Sequence, residues 1–307
     1  MRAIQVSEFG GPEVLRLVDV DPPEPIPTEV LVEVHAAGVN PVDWKTREGR
    51  GAAGAAGPPP FILGWDVAGV VKEVGRGVTI YEPGDRVFGM PWFPRAAGAY
   101  AEFVTAPSRQ FARMPDGLAF EQAAALPLAG LTAWQALMDT AQLGNGQTVL
   151  INGATGGVGH LAVQIAKARG ARVVGTARSE NHDFLRELGA DECVDYTQVE
   201  LQDAASDVDL ALDFVGGDAS RAALDTVREG GMLISVPGGV DDSVTAEGEK
   251  RGIRVTGILV EPDGHALGEL AGLNVHVHET LPLEEAARAH ELLQAGGLRG
   301  KLVLTLK

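Results

Sequence analysis

The stretch that most constrains this chain runs from Thr148 to Ser179, TVLINGATGGVGHLAVQIAKARGARVVGTARS. Thr148 to Asn152 is a β-branched and aliphatic run; a glycine-rich turn follows, and apolar residues then recur at Val158, Leu161, Ala162, Ile165 and Ala166 with helical spacing. Gly170 stands where a left-handed helix cap is wanted, and Arg172 to Gly175 reads as a second strand. The unit of about thirty residues therefore has the length of a βαβ crossover. A diphosphate needs backbone N–H groups aimed at it and a helix N-terminus behind it, and only residues without a Cβ let the backbone come that close. Gly156, Gly157 and Gly159 supply this, with Ala154, Thr155 and Val158 completing the turn. The dinucleotide fingerprint is G-x-G-x-x-G; its first glycine is here Ala154, with Gly153 one place earlier.

The second strand selects the cofactor. In an NAD site an acid near the end of that strand accepts the ribose 2′-hydroxyl. Here the strand leads into Thr176-Ala177-Arg178-Ser179, with no acid before Glu180. A guanidinium at Arg178 suits a 2′-phosphate and Ser179 can donate to it, which favours NADP(H); Arg178 as a solvated surface charge, and Glu180 on the ribose, are the competing readings.

At 307 residues the chain suits two domains with two cores. It holds no long apolar run and no secretory leader pattern, so a soluble, cytoplasmic protein without a membrane partner is expected. The single Cys193 excludes intrachain disulfides and fits a reducing compartment. A net charge of −17 argues against a nucleic-acid partner.

Residues 1–122 read as β-rich. Arg2 to Val6, Val14 to Val20, Glu29 to Val39, Asp66 to Val74, Asp85 to Met90 and Ala99 to Val104 are strand candidates, separated by proline and glycine turns. Gly51 to Pro60, GAAGAAGPPP, reads as a low-complexity loop. From Phe120 to Leu137 the sequence is alanine-rich and helical, broken near Pro127 and Gly130. After the glycine loop, strands (Glu192 to Tyr196, Val208 to Val215, Met232 to Val236, Arg254 to Val260) alternate with helices (Asn181 to Leu188, Ala219 to Arg228), the pattern of a doubly wound parallel sheet. A strand after 275, a helix from Leu283 to Ala295 and a strand from Lys301 to Leu306 are expected to return to the first domain. This gives a β domain over 1–122 and 271–307 and a nucleotide domain over 123–270.

Several motifs in order carry a family resemblance: GVNPVDWK from Gly38, GWDVAGVV from Gly64, GDRVF from Gly84, GAYAE from Gly98, GLTAW from Gly130, the glycine loop, and the ending from Ala289-His290-Glu291 to Gly300-Lys301-Leu302. Together they resemble the medium-chain dehydrogenase/reductase superfamily, and within it the zinc-independent quinone oxidoreductase, or zeta-crystallin-like, branch. The resemblance implies a GroES-like, barrel-like antiparallel catalytic domain beside a Rossmann NADP-binding domain, and a homodimer through the outer strand of the latter. Zinc-dependent members place cysteine, histidine and cysteine on the catalytic metal. Here the first position resembles Asn40, the histidine position Trp65, and no cysteine lies near Leu128. His276 and His278 share a face of an expected strand, but a third ligand is missing, so no metal site is expected.

Without a Lewis acid, electron-poor acceptors are favoured: a quinone, or an alkene conjugated to a carbonyl, takes hydride from C4 of NADPH and spreads the charge over its own oxygen. By resemblance, Asn40 and Asp43 serve the nicotinamide and acceptor, Thr132 contacts the cofactor, and Lys45 donates to the developing oxyanion. Asn40 before Pro41 is equally a turn residue, Asp43 a local cap and Lys45 a surface charge. Ligands of such sheets bind at the carboxyl ends of the strands, which adds Phe214 and Val215, Val236 and Pro237, and Ile258 to the cofactor contacts. Trp65, Trp92 and Phe93 are candidates for an apolar acceptor wall. Reduction of an enoyl or alkenal double bond, and a non-catalytic NADPH-binding redox sensor, remain as alternatives.

Overall fold

The computed structural model describes residues 1–307. The chain divides into two compact units, Met1–Leu131 with Glu261–Lys307, and Thr132–Val260. These divisions differ from the 122/123 and 270/271 boundaries read from composition, for a packing reason. The helix Phe120–Ala124 lies on the strands Glu29–Val39 and Asp66–Val74, and the helix Gly264–Leu270 lies on Phe111–Arg113, so both belong to the first unit.

The first unit is built mainly on antiparallel pairing, the pair Val277–Pro282 and Lys301–Thr305 alone being parallel. In its larger sheet Val277–Pro282, Lys301–Thr305, Glu29–Val39, Asp66–Val74, Arg86–Gly89 and Phe111–Arg113 follow one another, with Phe103–Pro107 also paired to Glu29–Val39. The long strand Glu29–Val39 organises it, because Val30, Val32, Val34, Ala36 and Val39 are all buried. The last strand, Lys301–Thr305, runs antiparallel against it, pairing Leu302 with Val39 and Leu304 with Ala37. A smaller sheet joins Arg2–Val6 to Leu15–Asp19 and Phe61–Ile62.

The second unit is a six-stranded sheet in the order Glu192–Val194, Arg172–Thr176, Thr148–Asn152, Val208–Asp213, Val227–Ser235, Arg254–Thr256, every pairing parallel. In chain order this is 3-2-1-4-5-6, the doubly wound Rossmann arrangement, whose order reverses between Thr148–Asn152 and Val208–Asp213. Strands covered on both faces read as continuous apolar runs, and Val149, Leu150, Ile151, Val173, Val174, Leu210, Ala211, Leu212, Leu233 and Ile234 are all buried.

Several sequence expectations need correction. Gly51 to Pro60 is not loop throughout: Ala53–Ala56 makes one helical turn, as alanines do when the flanking glycines take the bends. The strand expected over Ala99 to Val104 is shifted to Phe103–Pro107, while Ala101 makes only an isolated bridge with Ala3. The helix expected to reach Arg228 ends at Asp225, and Val227 already starts the next strand, consistent with β-branched Thr226 and Val227. The last strand of the parallel sheet is Arg254–Thr256, because Gly257 interrupts it. The helices Asp242–Lys250 and Gly264–Leu270 were not anticipated; each opens on an aspartate, Asp241 or Asp263, whose side chain accepts backbone N–H bonds. No helix is long and apolar enough to cross a membrane.

Candidate active site

In the parallel-sheet unit, Thr148–Asn152 delivers the chain to a tight turn. Gly153, at φ 79°, takes a left-handed conformation that a side chain would strain. Its N–H donates to Thr176 Oγ1 at 3.0 Å, and Ala154 N–H donates to Thr176 O at 3.3 Å, tying the turn to the neighbouring strand. The helix Gly159–Ala168 then starts directly against that turn. A Cβ on Gly159 would sit 2.7 Å from Ala154 Cα and closer still to Gly153 O, so only glycine lets the helix begin there. Ala154 is wholly buried, which explains why its methyl replaces a glycine without obstructing the turn, whereas Thr155, Gly156, Gly157 and Val158 are partly exposed. The resulting backbone cradle fits the diphosphate of a dinucleotide.

A buried polar chain that the sequence did not reveal runs across the carboxyl ends of the strands. Thr176 Oγ1 donates to Asn152 Oδ1 at 2.8 Å, and Asn152 Nδ2 donates to Asp213 Oδ1 at 3.0 Å. Asp213 also accepts from the backbone of Val215 (2.9 Å) and Gly216 (3.1 Å) and from the hydroxyls of Ser220 and Ser235. This fully buried carboxylate shapes the turn in which Phe214 is half-buried and Val215 is 56% exposed. Val236, Pro237 and Ile258 stand, partly exposed, just beyond the ends of the next two strands, which stop at Ser235 and Thr256 rather than at Val236 and Val260. At the end of the second strand Arg178 and Ser179 are both exposed. Thr132 is buried, in the helix Pro127–Trp134.

In the other unit, Asn40 caps the helix Pro41–Arg47, which Pro41 opens with a fixed φ and no N–H to lose. Asn40 and Asp43 are brought together: Asn40 N–H donates to Asp43 Oδ2 at 2.6 Å. Both are buried, Asn40 at 1% and Asp43 at 0% exposure. Asn40 Nδ2 donates to Asp66 Oδ2 at 2.8 Å while Asn40 Oδ1 accepts from Lys301 Nζ. Lys301 further donates to Val39 O at 3.0 Å and pairs with Asp66 at 3.4 Å. Asp66 Oδ1 accepts from Leu128 N–H at 2.7 Å. Burial pushes the Asp66 carboxyl above its ordinary range, opposed by the Lys301 ammonium.

A second line leaves the same oxygen of Asp43. Tyr100 Oη donates to Asp43 Oδ2 at 2.9 Å and lies 3.5 Å from His290 Nε2, and Arg47 Nη1 donates to His290 Nδ1 at 3.2 Å. The guanidinium fixes the tautomer, because a ring nitrogen that accepts from arginine leaves Nε2–H to face the tyrosine oxygen. Burial, with Arg47 alongside, holds the His290 imidazole down to about 3, so it is neutral. Burial pushes Asp43 up to about 7, against the stabilising bonds from Asn40 and Tyr100, and its Oδ1 has no partner. Asp43 is therefore a carboxyl that exchanges its proton near neutral pH.

Lys45 is half-buried, 5.7 Å from the Trp44 ring, and burial followed by repulsion from Arg50 lowers its pKa, making the ammonium a better acid. Trp65 is 1% exposed; its Nε1 donates to Arg95 O at 2.6 Å and its ring meets Phe93 edge-on at 5.4 Å. Trp92 Nε1 donates to Thr105 O at 2.8 Å. Sequence reasoning missed Asp66, Tyr100, His290 and Lys301 as members of this cluster; the only signal was their position inside the motifs from Gly64, Gly98, Ala289 and Gly300.

The alcohol dehydrogenase GroES-like domain family matches residues 26–116 and the zinc-binding dehydrogenase family residues 188–304. A quinone oxidoreductase of Rattus norvegicus is 36% identical over 100% of this chain and 98% of its own length. The chain belongs to the quinone oxidoreductase branch of the medium-chain dehydrogenase/reductase superfamily. The solved quinone oxidoreductase of Coxiella burnetii superposes with a TM-score of 0.94 at 40% identity, covering 100% of this chain and 99% of that one. The Escherichia coli quinone oxidoreductase, solved in complex with NADPH, gives 0.86 at 30% identity with both chains wholly covered. The parallel sheet is thus the Rossmann domain, and the antiparallel unit the GroES-like domain, of an oxidoreductase.

Proposed function

We propose that this chain is an NADPH-dependent oxidoreductase that reduces a quinone or a similarly conjugated carbonyl compound without zinc. The observation that carries the metal-free reading is the donor set at the positions resembling zinc ligands. Asn40 has both ends of its amide committed to Lys301 and Asp66, and Trp65 offers only an indole N–H, itself given to Arg95 O. The indole has no electron pair to give, and the Asn40 oxygen faces the Lys301 ammonium, so the pair is a poor site for a borderline-soft cation. The glycine cradle fits the diphosphate and Arg178 suits a 2′-phosphate, in keeping with NADP(H) as the cofactor. Bound there, NADPH supplies a hydride at C4 and leaves as NADP⁺.

What the chain itself adds is orientation and a proton. The residues around the glycine loop, together with Phe214, Val215, Val236, Pro237, Ile258 and Thr132, hold the dinucleotide. Asn40 is positioned by Lys301 and Asp66 to present its remaining amide N–H, and Lys45, acidified by burial, donates toward the oxygen that gains negative charge. Hydride plus one proton converts a quinone to its hydroquinone with electrons balanced. Asp43, with its carboxyl near neutrality, holds an exchangeable proton in the same cluster. The resemblance further implies a cytoplasmic protein and a homodimer through the outer strand of the Rossmann domain; light scattering in solution tests the dimer.

The test is NADPH oxidation followed by absorbance with purified protein, offering 1,4-benzoquinone and an α,β-unsaturated ketone in parallel, each with and without a chelator. Chelator-insensitive reduction of the quinone supports the reading. Reduction of the enone alone moves the assignment to double-bond reduction, and chelator-sensitive turnover overturns the metal-free part.

A further inference from the structure

The end of the second Rossmann strand holds an acid that the chain order conceals. Asp195 follows the adjacent strand Glu192–Val194, 16 positions after Ser179, yet its Oδ2 accepts both the Ser179 backbone N–H, at 2.8 Å, and the Ser179 hydroxyl. Its Oδ1 accepts from Thr197 N–H at 3.0 Å and Thr197 Oγ1 at 2.6 Å, and Gln198 Nε2 reaches Oδ2 at 3.2 Å. These donors are neutral, and no cation pairs with Asp195, whereas its neighbours Asp191 and Glu192 are bridged to Lys167 and Arg172. Beside these groups lies an open cleft of about 500 Å³, flanked by Ser179, Asp195, Gln198 and Arg186.

Two consequences follow for a ligand at Arg178–Ser179. Both donors of Ser179 are spent on Asp195, so neither is offered to a 2′-phosphate. An uncompensated carboxylate also stands one hydrogen bond away from the residue that would meet that phosphate. A ribose with a free 2′-hydroxyl has no such conflict, since it carries no charge.

We propose that Asp195 is a specificity-determining residue that opposes Arg178, weakening the enzyme's preference for NADPH over NADH. This rests on the NADP(H) reading above, in which Arg178 favours the 2′-phosphate. Replacing the carboxylate by an amide removes the repulsion while keeping one acceptor oxygen for the backbone N–H of Ser179 or Thr197.

The experiment measures dissociation constants of NADPH and NADH by calorimetry, with no acceptor present, for the wild type, Asp195→Asn, Asp195→Thr and Arg178→Ala. The ratio of the two constants is read, so a variant that merely loosens the turn weakens both ligands and leaves the ratio where it was. The NADPH preference is expected to rise severalfold in both neutral variants, the order set by roughly 1 kcal/mol between unit charges a few ångströms apart in water. It is expected to fall in Arg178→Ala. An unchanged or lower preference in both neutral variants, with Arg178→Ala still lowering it, overturns the role of Asp195 and leaves the NADP(H) reading standing. NADPH binding no better than NADH in the wild type and both neutral variants, with no effect of Arg178→Ala, removes that reading and the proposal with it.

Discussion

Replacing Lys301 by methionine is the most informative perturbation of the buried cluster. Methionine keeps the length and apolar stem of lysine but none of its three protons, which go to Val39 O, Asn40 Oδ1 and Asp66 Oδ2. Asp66 is 0% exposed and would retain only Asn40 Nδ2 and Leu128 N–H. An uncompensated buried carboxylate costs about 3–5 kcal/mol, well above the ~1 kcal/mol expected for a surface pair. Asp66→Asn alone strands the ammonium instead and is costly for the same reason. The double variant Lys301→Met/Asp66→Asn removes both charges, so its cost should fall short of the summed single costs by about 1–3 kcal/mol. The sign of the pH effect is also fixed. Burial raises the folded-state pKa of Asp66, and losing Lys301 raises it further, so protonation relieves Lys301→Met and its cost grows as pH rises. Urea denaturation of the four proteins, followed by far-UV circular dichroism, reads all of this. A single-variant cost below about 1 kcal/mol, or costs that simply add, would refute the reasoning that the pair is held together by mutual compensation.

Gly159→Ala forces a methyl into Gly153 O and Ala154 Cα, so it should abolish detectable NADPH binding by fluorescence titration even in protein that remains folded. Tyr100→Phe removes the donor to Asp43 and leaves His290 Nε2–H facing carbon; a loss of about 1–3 kcal/mol is expected, larger at pH 8 than at pH 6 because the lost bond stabilises the ionised Asp43. The two titrations in this cluster have opposite signs. Asp43, raised to about 7, contributes stability at low pH that is lost as pH rises from its unfolded value through 7. His290, depressed to about 3, contributes stability above its unfolded value that is lost as pH falls toward 3. In His290→Gln only the first remains, so the stability of the wild type relative to this variant should increase from pH 4 to pH 6.5 in denaturation measurements; a flat difference contradicts the assignment.

The Rossmann unit was legible because its constraints are local. The apolar runs, Gly153 and Gly159, and the helix Gly159–Ala168 each follow from a few consecutive residues, and the alternation of elements leads to the parallel sheet. Shorter elements were misplaced where a single residue decides the outcome, as Gly257 does in stopping the last strand. The buried cluster was not legible, since Lys301 meets Asn40 across 261 positions of chain and Tyr100 meets His290 across 190. Asp195 was hidden for the same reason: Glu180 is nearer to Ser179 in sequence, but strand pairing brings Asp195 to it. Burial likewise adds to the reading of Asn40 and Asp43, which read equally as turn residues and as reacting groups; both are buried, bonded to each other, and Asn40 is bonded to Asp66.

Hydride transfer from the dinucleotide to an external acceptor is tested most directly by turnover with NADPH deuterated at C4 on the transferred face, with 1,4-benzoquinone as acceptor and product analysis in the same sample. The expected result is one hydroquinone formed for each NADPH consumed, with deuterated cofactor reacting more slowly in single-turnover mixing. Tight NADPH binding without cofactor oxidation, for this quinone and for a conjugated enone alike, would contradict catalysis and leave a nucleotide-binding protein in its place.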